Sequence, residues 1–539
     1  MQPQSVQPAI AYTRKDIEYQ NRAPLRKLAV GIQQRDYQDV GIDALWERKR
    51  FMLRDAPGLG KTPMAALAAE IPCLVVAPNY LVGQWGDFLT RVFPMLRTVV
   101  VKGDHWAKRS LLDDAYGLLE DKRQAAFTVI NTEMLRTHEE ILMQYHDLSA
   151  WTTIIFDESH HLKNRNAGRS KVAVALARNV KRVYLLTATP IWKEVDDLYN
   201  QFRIIHPTVF TSYNDFVNLF CIAEDSRYGT KVIGVKKSMI PELDAMMGQM
   251  SLGRTYKEAG RELPEVIASE VRIDFDERTS KMYQDVLNNF RLQLELADAG
   301  MTVDDLVEWN KANATRTTTL YGLHSEAEDE PSFDEVIEKG YNPDYSPSPE
   351  DSKAMLMFES YSAMAHTLRQ ISGWHGKVNA VVEAIMDTYL YHEGRVVVFT
   401  WYRDLAQKIT KAINEQADKE GTKRAVCITG NITDANQRRF LATGNNIVVA
   451  TISSLSEGVD LSWGRMVVFA EEHYSPGSHI QAMARVVRDR AALGNAAPQE
   501  PVLVNYIMTR NTIDEVVHQR SQQRGATIKE IIREAVGLI

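Results

Sequence analysis

The chain has 539 residues, is 45% hydrophobic and 25% charged, and carries a formal net charge of −7. That length calls for more than one core, the composition is that of an ordinary globular chain, and the charge excludes a chain-wide basic coat while leaving room for a local basic groove. Cys73, Cys221 and Cys427 lie far apart at no metal or redox spacing, and no apolar run of about 18 residues or signal-like leader is present, so a reducing intracellular setting without a membrane span is expected.

Residues 1–24 read as a loose tail, and from Leu25 to Trp46 apolar residues recur at helical spacing. Within that stretch, Arg35-Asp36-Tyr37-Gln38 puts a glutamine just upstream of a glycine loop. Gln38 can present its amide to adenine N6 and N7, or simply solvate the helix. A short apolar-leaning segment, Arg50-Phe51-Met52-Leu53, runs into Asp55-Ala56-Pro57-Gly58-Leu59-Gly60-Lys61-Thr62 and then a helical run, Pro63 to Glu70. Strand, glycine loop, Lys-Thr, helix is the order that cradles phosphate. Gly58, Leu59 and Gly60 let backbone N–H groups approach, and the helix N-terminus adds positive potential. Lys61 can reach the β- and γ-phosphates, and Thr62 can offer its hydroxyl to Mg2+. Asp55 stands where the strict pattern has its first glycine. The rival reading is an ordinary glycine turn before a helix.

Five apolar runs follow, at 73–77, 98–101, 127–130, 153–156 and 183–186. They are continuous rather than alternating, so both faces are covered and a parallel sheet between helices is expected. Ligand chemistry in such sheets sits at the carboxyl ends of the strands. Asn79, Asn131 with Thr132, Asp157 with Glu158, and Thr187 with Thr189 stand at those ends. A carboxylate pair leaving a buried strand can divide two tasks: Asp157 holds Mg2+ through water, and Glu158 orients and deprotonates the attacking water. By itself the pair is also compatible with an acidic helix cap. His160 and His161 have no metal-ligand partners at suitable spacing, which points to solvated or coupling roles.

Residues 304–351 carry many carboxylates and helix-breaking prolines. This acidic insertion reads as a solvated loop, as a gate competing with DNA for a basic groove, or as a docking site for a protein partner. A second series of apolar runs, at 396–399, 425–428, 447–450, 466–469 and 502–506, repeats the first architecture, and a helical C-terminus starts at about Thr512. On a helix, Arg485 and Arg488 would share a face. A guanidinium pair offered across a cleft to a γ-phosphate is an arginine-finger arrangement, although the same pair can be a plain surface feature.

These elements together resemble the Swi/Snf remodelling branch of the superfamily 2 helicases. Asp55…Gly58-Leu59-Gly60-Lys61-Thr62 is similar to the family's DExGLGKT, and Asp157-Glu158-Ser159-His160-His161-Leu162-Lys163-Asn164 to its DEAHRLKN. Thr187-Ala188-Thr189-Pro190, Leu252-Gly253-Arg254-Thr255, Ser456-Glu457-Gly458-Val459-Asp460-Leu461 and Gln481-Ala482-Met483-Ala484-Arg485-Val486-Val487-Arg488 resemble further family motifs. Ala56, Ser159, Asp460 and Ala484 depart from them.

The resemblance implies an α/β fold of two tandem RecA-like parallel-sheet lobes with helical insertions: an ATP-binding lobe at 25–255, a linker with protrusion and insertion at 256–375, and a C-terminal lobe at 376–539. It implies ATP and Mg2+ held by Gln38, the loop from Gly58 to Thr62 and Asp157, with Gly458 and Asp460 coupling from the second lobe. Glu158, Gln481, Arg485 and Arg488 would form the catalytic set. The implied activity is a DNA-dependent ATPase, a monomeric motor tracking duplex or forked DNA with little sequence preference. RNA ranks below DNA as a partner. Asn79 to Trp85, Asn131-Thr132, Trp401-Tyr402 and Thr451 to Ser454 are the expected DNA contacts. A strand-separating or annealing helicase and a non-catalytic DNA-binding scaffold are the rivals.

Overall fold

The structure, a computed structural model, describes residues 35–116, 125–226, 229–298, 365–373, 375–392, 395–420, 424–430, 447–455, 461–488 and 500–532. The expected tail, the acidic insertion, Gly458 and Asp460 lie outside the described residues.

The strands, in chain order, are β1 (Arg50–Leu53), β2 (Cys73–Ala77), β3 (Thr98–Val100), β4 (Phe127–Asn131), β5 (Thr153–Asp157), β6 (Arg182–Leu186), β7 (Cys221–Ser226), β8 (Gly229–Val235), β9 (Ser251–Leu252), β10 (Val266–Ile273), β11 (Val396–Thr400), β12 (Ala425–Ile428), β13 (Ile447–Thr451), β14 (Met466–Phe469) and β15 (Val502–Thr509). The first sheet runs β3-β4-β2-β5-β6-β1-β9 and the second β10-β15-β14-β11-β13-β12. Every pairing in both is parallel.

Continuous apolar runs bury both faces because successive side chains point to opposite sides. In the first sheet Met52, Leu74, Val76, Ile130, Ile154 and Phe156 pack into one core, and Phe51, Leu53, Val75, Val129, Ile155 and Tyr184 into the other. The second sheet divides likewise, with Val397, Phe399, Val448 and Val467 on one side and Val396, Val398, Val449 and Val468 on the other. Each such side chain contributes about 1.5–3 kcal/mol by leaving water, so a one-residue slip that swapped faces would forfeit a whole layer. The α/β reading with two parallel-sheet lobes therefore holds.

Two features went unread in the sequence. β7 and β8 form an antiparallel hairpin within the helical segment that follows β6. The segment 266–273, assigned above to the linker, is the edge strand of the second sheet, paired with β15 from Val266↔Val502 to Ile273↔Thr509. Its side chains are largely exposed, so it lacks the apolar signal of a central strand. No helix among the described residues is long and apolar enough to cross a membrane.

The lobes touch. Gly477 N–H donates to the Trp192 carbonyl at 3.3 Å, and the Ser475 hydroxyl donates to the same oxygen. Arg524 of the C-terminal helix pairs with Glu194 at 2.8 Å.

Candidate active site

The glycine loop leaves β1 and opens the helix Lys61–Ala68. Gly58 and Gly60 have φ of 80° and 84°, a region that side chains strongly disfavour. A Cβ on Gly60 would also lie 2.3 Å from Gln38 Nε2. Tyr37 Oη and Gln38 Nε2 donate to the Leu59 carbonyl at 3.1 and 3.2 Å, and Gln38 Oε1 accepts from the Arg35 N–H at 3.1 Å. Both ends of the Gln38 amide are therefore engaged, Nε2 on the glycine loop and Oε1 on the first turn of its own helix. Lys61 Nζ donates to the Asp55 carbonyl at 2.8 Å, and burial pushes its pKa down against the pull of Glu158, Asp55 and Asp157.

Asp55, in place of the first glycine, is fully buried. Its carboxylate receives Nε and Nη2 of Arg254 at 3.0 and 2.5 Å. Arg254 also donates to the Tyr37 carbonyl, and its guanidinium lies 5.4 Å from the Tyr37 ring centre. The same segment is stitched to the loop by its backbone, Arg54 N–H to Leu252 O at 2.7 Å and Ala56 N–H to Arg254 O at 3.0 Å. Tyr256 Oη adds a bond to the Pro57 carbonyl. Sequence reading placed Arg254 only within a family-like motif. The available signal was an acid at Asp55 where a buried loop needs a counter-charge.

Asp157 and Glu158 close β5. Asp157 Oδ2 accepts from Trp85 Nε1 at 2.7 Å, and Oδ1 accepts from the Glu158 N–H at 2.9 Å. Trp85 is buried, so its expected role as a DNA contact is corrected: its ring faces the core and its N–H holds a carboxylate. Glu158 sits at φ 46°, a left-handed conformation that is uncommon outside glycine. Burial and the neighbouring Glu158 hold Asp157 above the usual carboxylate range. Burial also raises Glu158, but His160, Lys61 and Arg485 outweigh it and hold that group low.

His160 links the acidic pair to the second lobe. Its Nδ1 lies 3.2 Å from Glu158 Oε2 and 3.3 Å from Thr187 Oγ1. Its ring stacks on Trp192 at 4.5 Å, and its Nε2 lies 3.5 Å from Gln481 Nε2. Burial pushes it down to about 3, so the ring is neutral at neutral pH. A neutral ring that accepts at Nε2 must carry its proton on Nδ1, facing Glu158 and Thr187. Ser159 donates to Gln201 Oε1 at 2.9 Å, and Gln201 Nε2 donates to the Pro190 carbonyl at 2.7 Å, joining the acidic turn to the turn after β6.

Gln481 and Arg485 lie on the helix Pro476–Val486. The charge of Arg485 is felt at both Lys61 and Glu158. Arg488 is not on that helix face. Val487 leaves the helix in an extended conformation, and Arg488 Nε turns back to the Ala484 carbonyl at 3.0 Å. The shared-face argument fails because the helix stops two residues early. Among the other expected DNA contacts, Thr132, Tyr402 and Thr451 are buried, and Trp401 stacks on His473 at 4.3 Å. Asn79 and Asn131 meet at the surface, 3.4 Å apart.

A model of the SNF2-related domain matches residues 15–325, more than half of the chain. The chain belongs to the SNF2-related family. The helicase conserved C-terminal domain matches residues 376–490. Among curated relatives, the Caenorhabditis elegans homolog of SWI/SNF-related matrix-associated actin-dependent regulator of chromatin subfamily A-like protein 1 is 26% identical, over 90% of this chain and 60% of the relative. The Xenopus tropicalis protein of that name is 25% identical over 90% and 44%. The mouse DNA annealing helicase and endonuclease ZRANB3 is 22% identical over 91% and 40%. This SNF2-related chain thus spans roughly half the length of the curated relatives it matches.

Proposed function

We propose that this SNF2-related chain is a DNA-dependent ATPase that hydrolyses ATP between its two lobes and uses the cycle to move along DNA. One observation carries the reading. Arg485 of the second lobe lies within electrostatic reach of Lys61 and Glu158 of the first, while Gln481 meets His160.

In this reading Lys61 and the N–H groups of the glycine loop bind the phosphates. Glu158, held low and therefore ionised, accepts a hydrogen bond from the attacking water, orients it, and takes its proton as the γ-phosphate is transferred. Arg485 stabilises charge developing on the γ-phosphate. His160 senses whether Gln481 is in place. The residues also fit Mg2+, because the Thr62 hydroxyl and the Asp157 carboxylate are the hard oxygen donors that this ion takes. Mg2+, when bound, neutralises phosphate charge and is held by Thr62 and Asp157. Arg488, Gly458 and Asp460 remain proposals that rest on the motif alone.

DNA as the track is supported by family membership and by relatives named for DNA annealing. Backbone tracking predicts little sequence preference and a steep salt dependence. A second reading, strand annealing, is favoured by those same names. The test is ATP turnover with no nucleic acid, closed duplex, single-stranded DNA, forked DNA and RNA. Stimulation by duplex supports translocation, and a strand-pairing assay separates annealing. Turnover indifferent to all nucleic acids overturns the proposal.

A further inference from the structure

β3 is the edge strand of the first sheet on the side away from β1, and beyond it the chain is exposed from Lys102 to Ala107. Within this stretch Trp106 is 77% exposed, the highest value for a large apolar side chain among the described residues. The backbone that carries it is held in place. It sits in the first turn of the helix His105–Tyr116, where the Ala107 N–H donates to Asp104 Oδ1 at 2.9 Å and the Lys108 N–H to the Asp104 carbonyl at 3.0 Å. His105 lies edge-on to it at 5.9 Å and stacks on His138 at 4.5 Å. His138 follows β4, so the Trp106 turn is tied to the segment that leaves Asn131 at the end of that strand.

Lysines stand beside this turn, together with the exposed Glu139 and Glu140 that follow His138. Lys102 Nζ reaches over Gly83, on the helix after β2, and the charge of Lys108 is felt at His138. Asp104, the acid within the exposed run itself, is engaged as the helix cap. The carboxyl ends of three adjacent strands, β2, β4 and β3, therefore present an amide pair, two lysines and one exposed indole.

We propose that Trp106 stacks on an exposed nucleobase face, either of an unpaired base or of a terminal base pair, at the end of the phosphate path over Asn79 and Asn131. The proposal rests on the DNA reading above and narrows it to DNA with an accessible base. A base supplies an apolar π-face beside a phosphate, and an indole flanked by lysines matches both. A protein hot spot would instead bring further large apolar side chains around the ring, and the exposed run from Lys102 to Ala107 holds no other.

The test is direct binding without ATP, by anisotropy of a labelled single strand and a labelled blunt duplex, with closed-circular duplex as competitor. Trp106→Ala should weaken the single strand, the blunt duplex or both by about tenfold, and competition by the closed circle by less than about twofold. Trp106→Phe should restore most of the loss. Loss on the single strand assigns an unpaired base, and loss on the blunt duplex a terminal pair. Equal loss on all three DNAs, or no loss on any, overturns the proposal. An unchanged melting curve for Trp106→Ala shows that the fold is intact. If the wild-type ATPase ignores DNA while Trp106→Ala still loses strand binding, the translocase reading falls and the stacking site stands. If DNA stimulates the wild type and Trp106→Ala binds every DNA as the wild type does, the reverse holds.

Discussion

At the scale of single residues, the acidic pair is maintained by side chains that never meet the nucleotide. Two N–H donors favour the ionised form of Asp157, while burial and Glu158 oppose it. Trp85 supplies one of those donors from a fully packed position. Trp85→Phe keeps an aromatic ring but deletes the N–H. A hydrogen bond to a buried charge is worth roughly 1.5–3 kcal/mol, or about one to two pKa units. Losing a donor to the ionised form lifts the folded-state pKa further above its ordinary value. The acid limb of the ATP turnover profile should therefore move to higher pH by about one unit. A loss of packing alone would lower the melting temperature and leave that limb in place. The sequence concealed this role because an aromatic after a strand-end loop reads as a nucleic-acid contact. Only the tertiary approach of Trp85 to Asp157 shows that it is a core group.

At the scale of elements, the segment from Ser251 to Tyr256 straps the glycine loop to the chain that leads into the second lobe. It ends ten residues before β10, whose first residue is Val266. Arg254→Ala would leave Asp55 buried without its counter-charge, at a cost of about 3–5 kcal/mol. Arg254→Lys keeps the charge but loses the fork, so the loss of stability should be smaller while the KM for ATP rises several-fold. Calorimetry with steady-state kinetics separates the two effects. A second joint lies where β10 meets the C-terminal helix. His518 Nδ1 lies 2.6 Å from Glu472, and its Nε2 lies 3.4 Å from Glu270 on β10. The bond to Glu472 raises the His518 pKa against burial, with both carboxylates adding to the rise. A raised pKa stabilises fully below the unfolded value of about 6.5, and the stabilisation is lost as pH rises through the folded value. His518→Gln should flatten the fall in melting temperature across that window, removing about 1 kcal/mol of pH-dependent stability. The central strands were legible because continuous apolar runs have one reading between helices. The helix end at Val486 was not, since the motif carries no stop signal and the geometry of Val487 decides it. β10 was hidden because an exposed edge needs no apolar alternation.

At the scale of the whole molecule, ATP turnover in this reading depends on how often the second lobe holds Gln481 and Arg485 against the first. The described lobe-to-lobe contacts include the bonds of Ser475 and Gly477 to Trp192, the approach of Gln481 to His160, and the Arg524–Glu194 pair. The first two belong to the site itself. Arg524–Glu194 lies outside it and bears on the equilibrium between lobe positions without touching the nucleotide. Glu194 is partly buried and its pKa is raised by that burial, with Arg524 opposing the rise. A partly exposed pair is worth about 1 kcal/mol, which is roughly a fivefold shift in a two-state population. Arg524→Ala and Glu194→Gln should each lower turnover without nucleic acid by up to about fivefold. The KM for ATP should change little, because the glycine loop and its strap both belong to the first lobe. The double variant should lose no more than either single one, since both remove the same contact. High salt should shrink the wild-type advantage toward the variants, because a pair at this exposure is screened. Additive losses in the double-mutant cycle would mean that the two residues act through separate contacts, and the pair would then have no part in setting the lobe equilibrium.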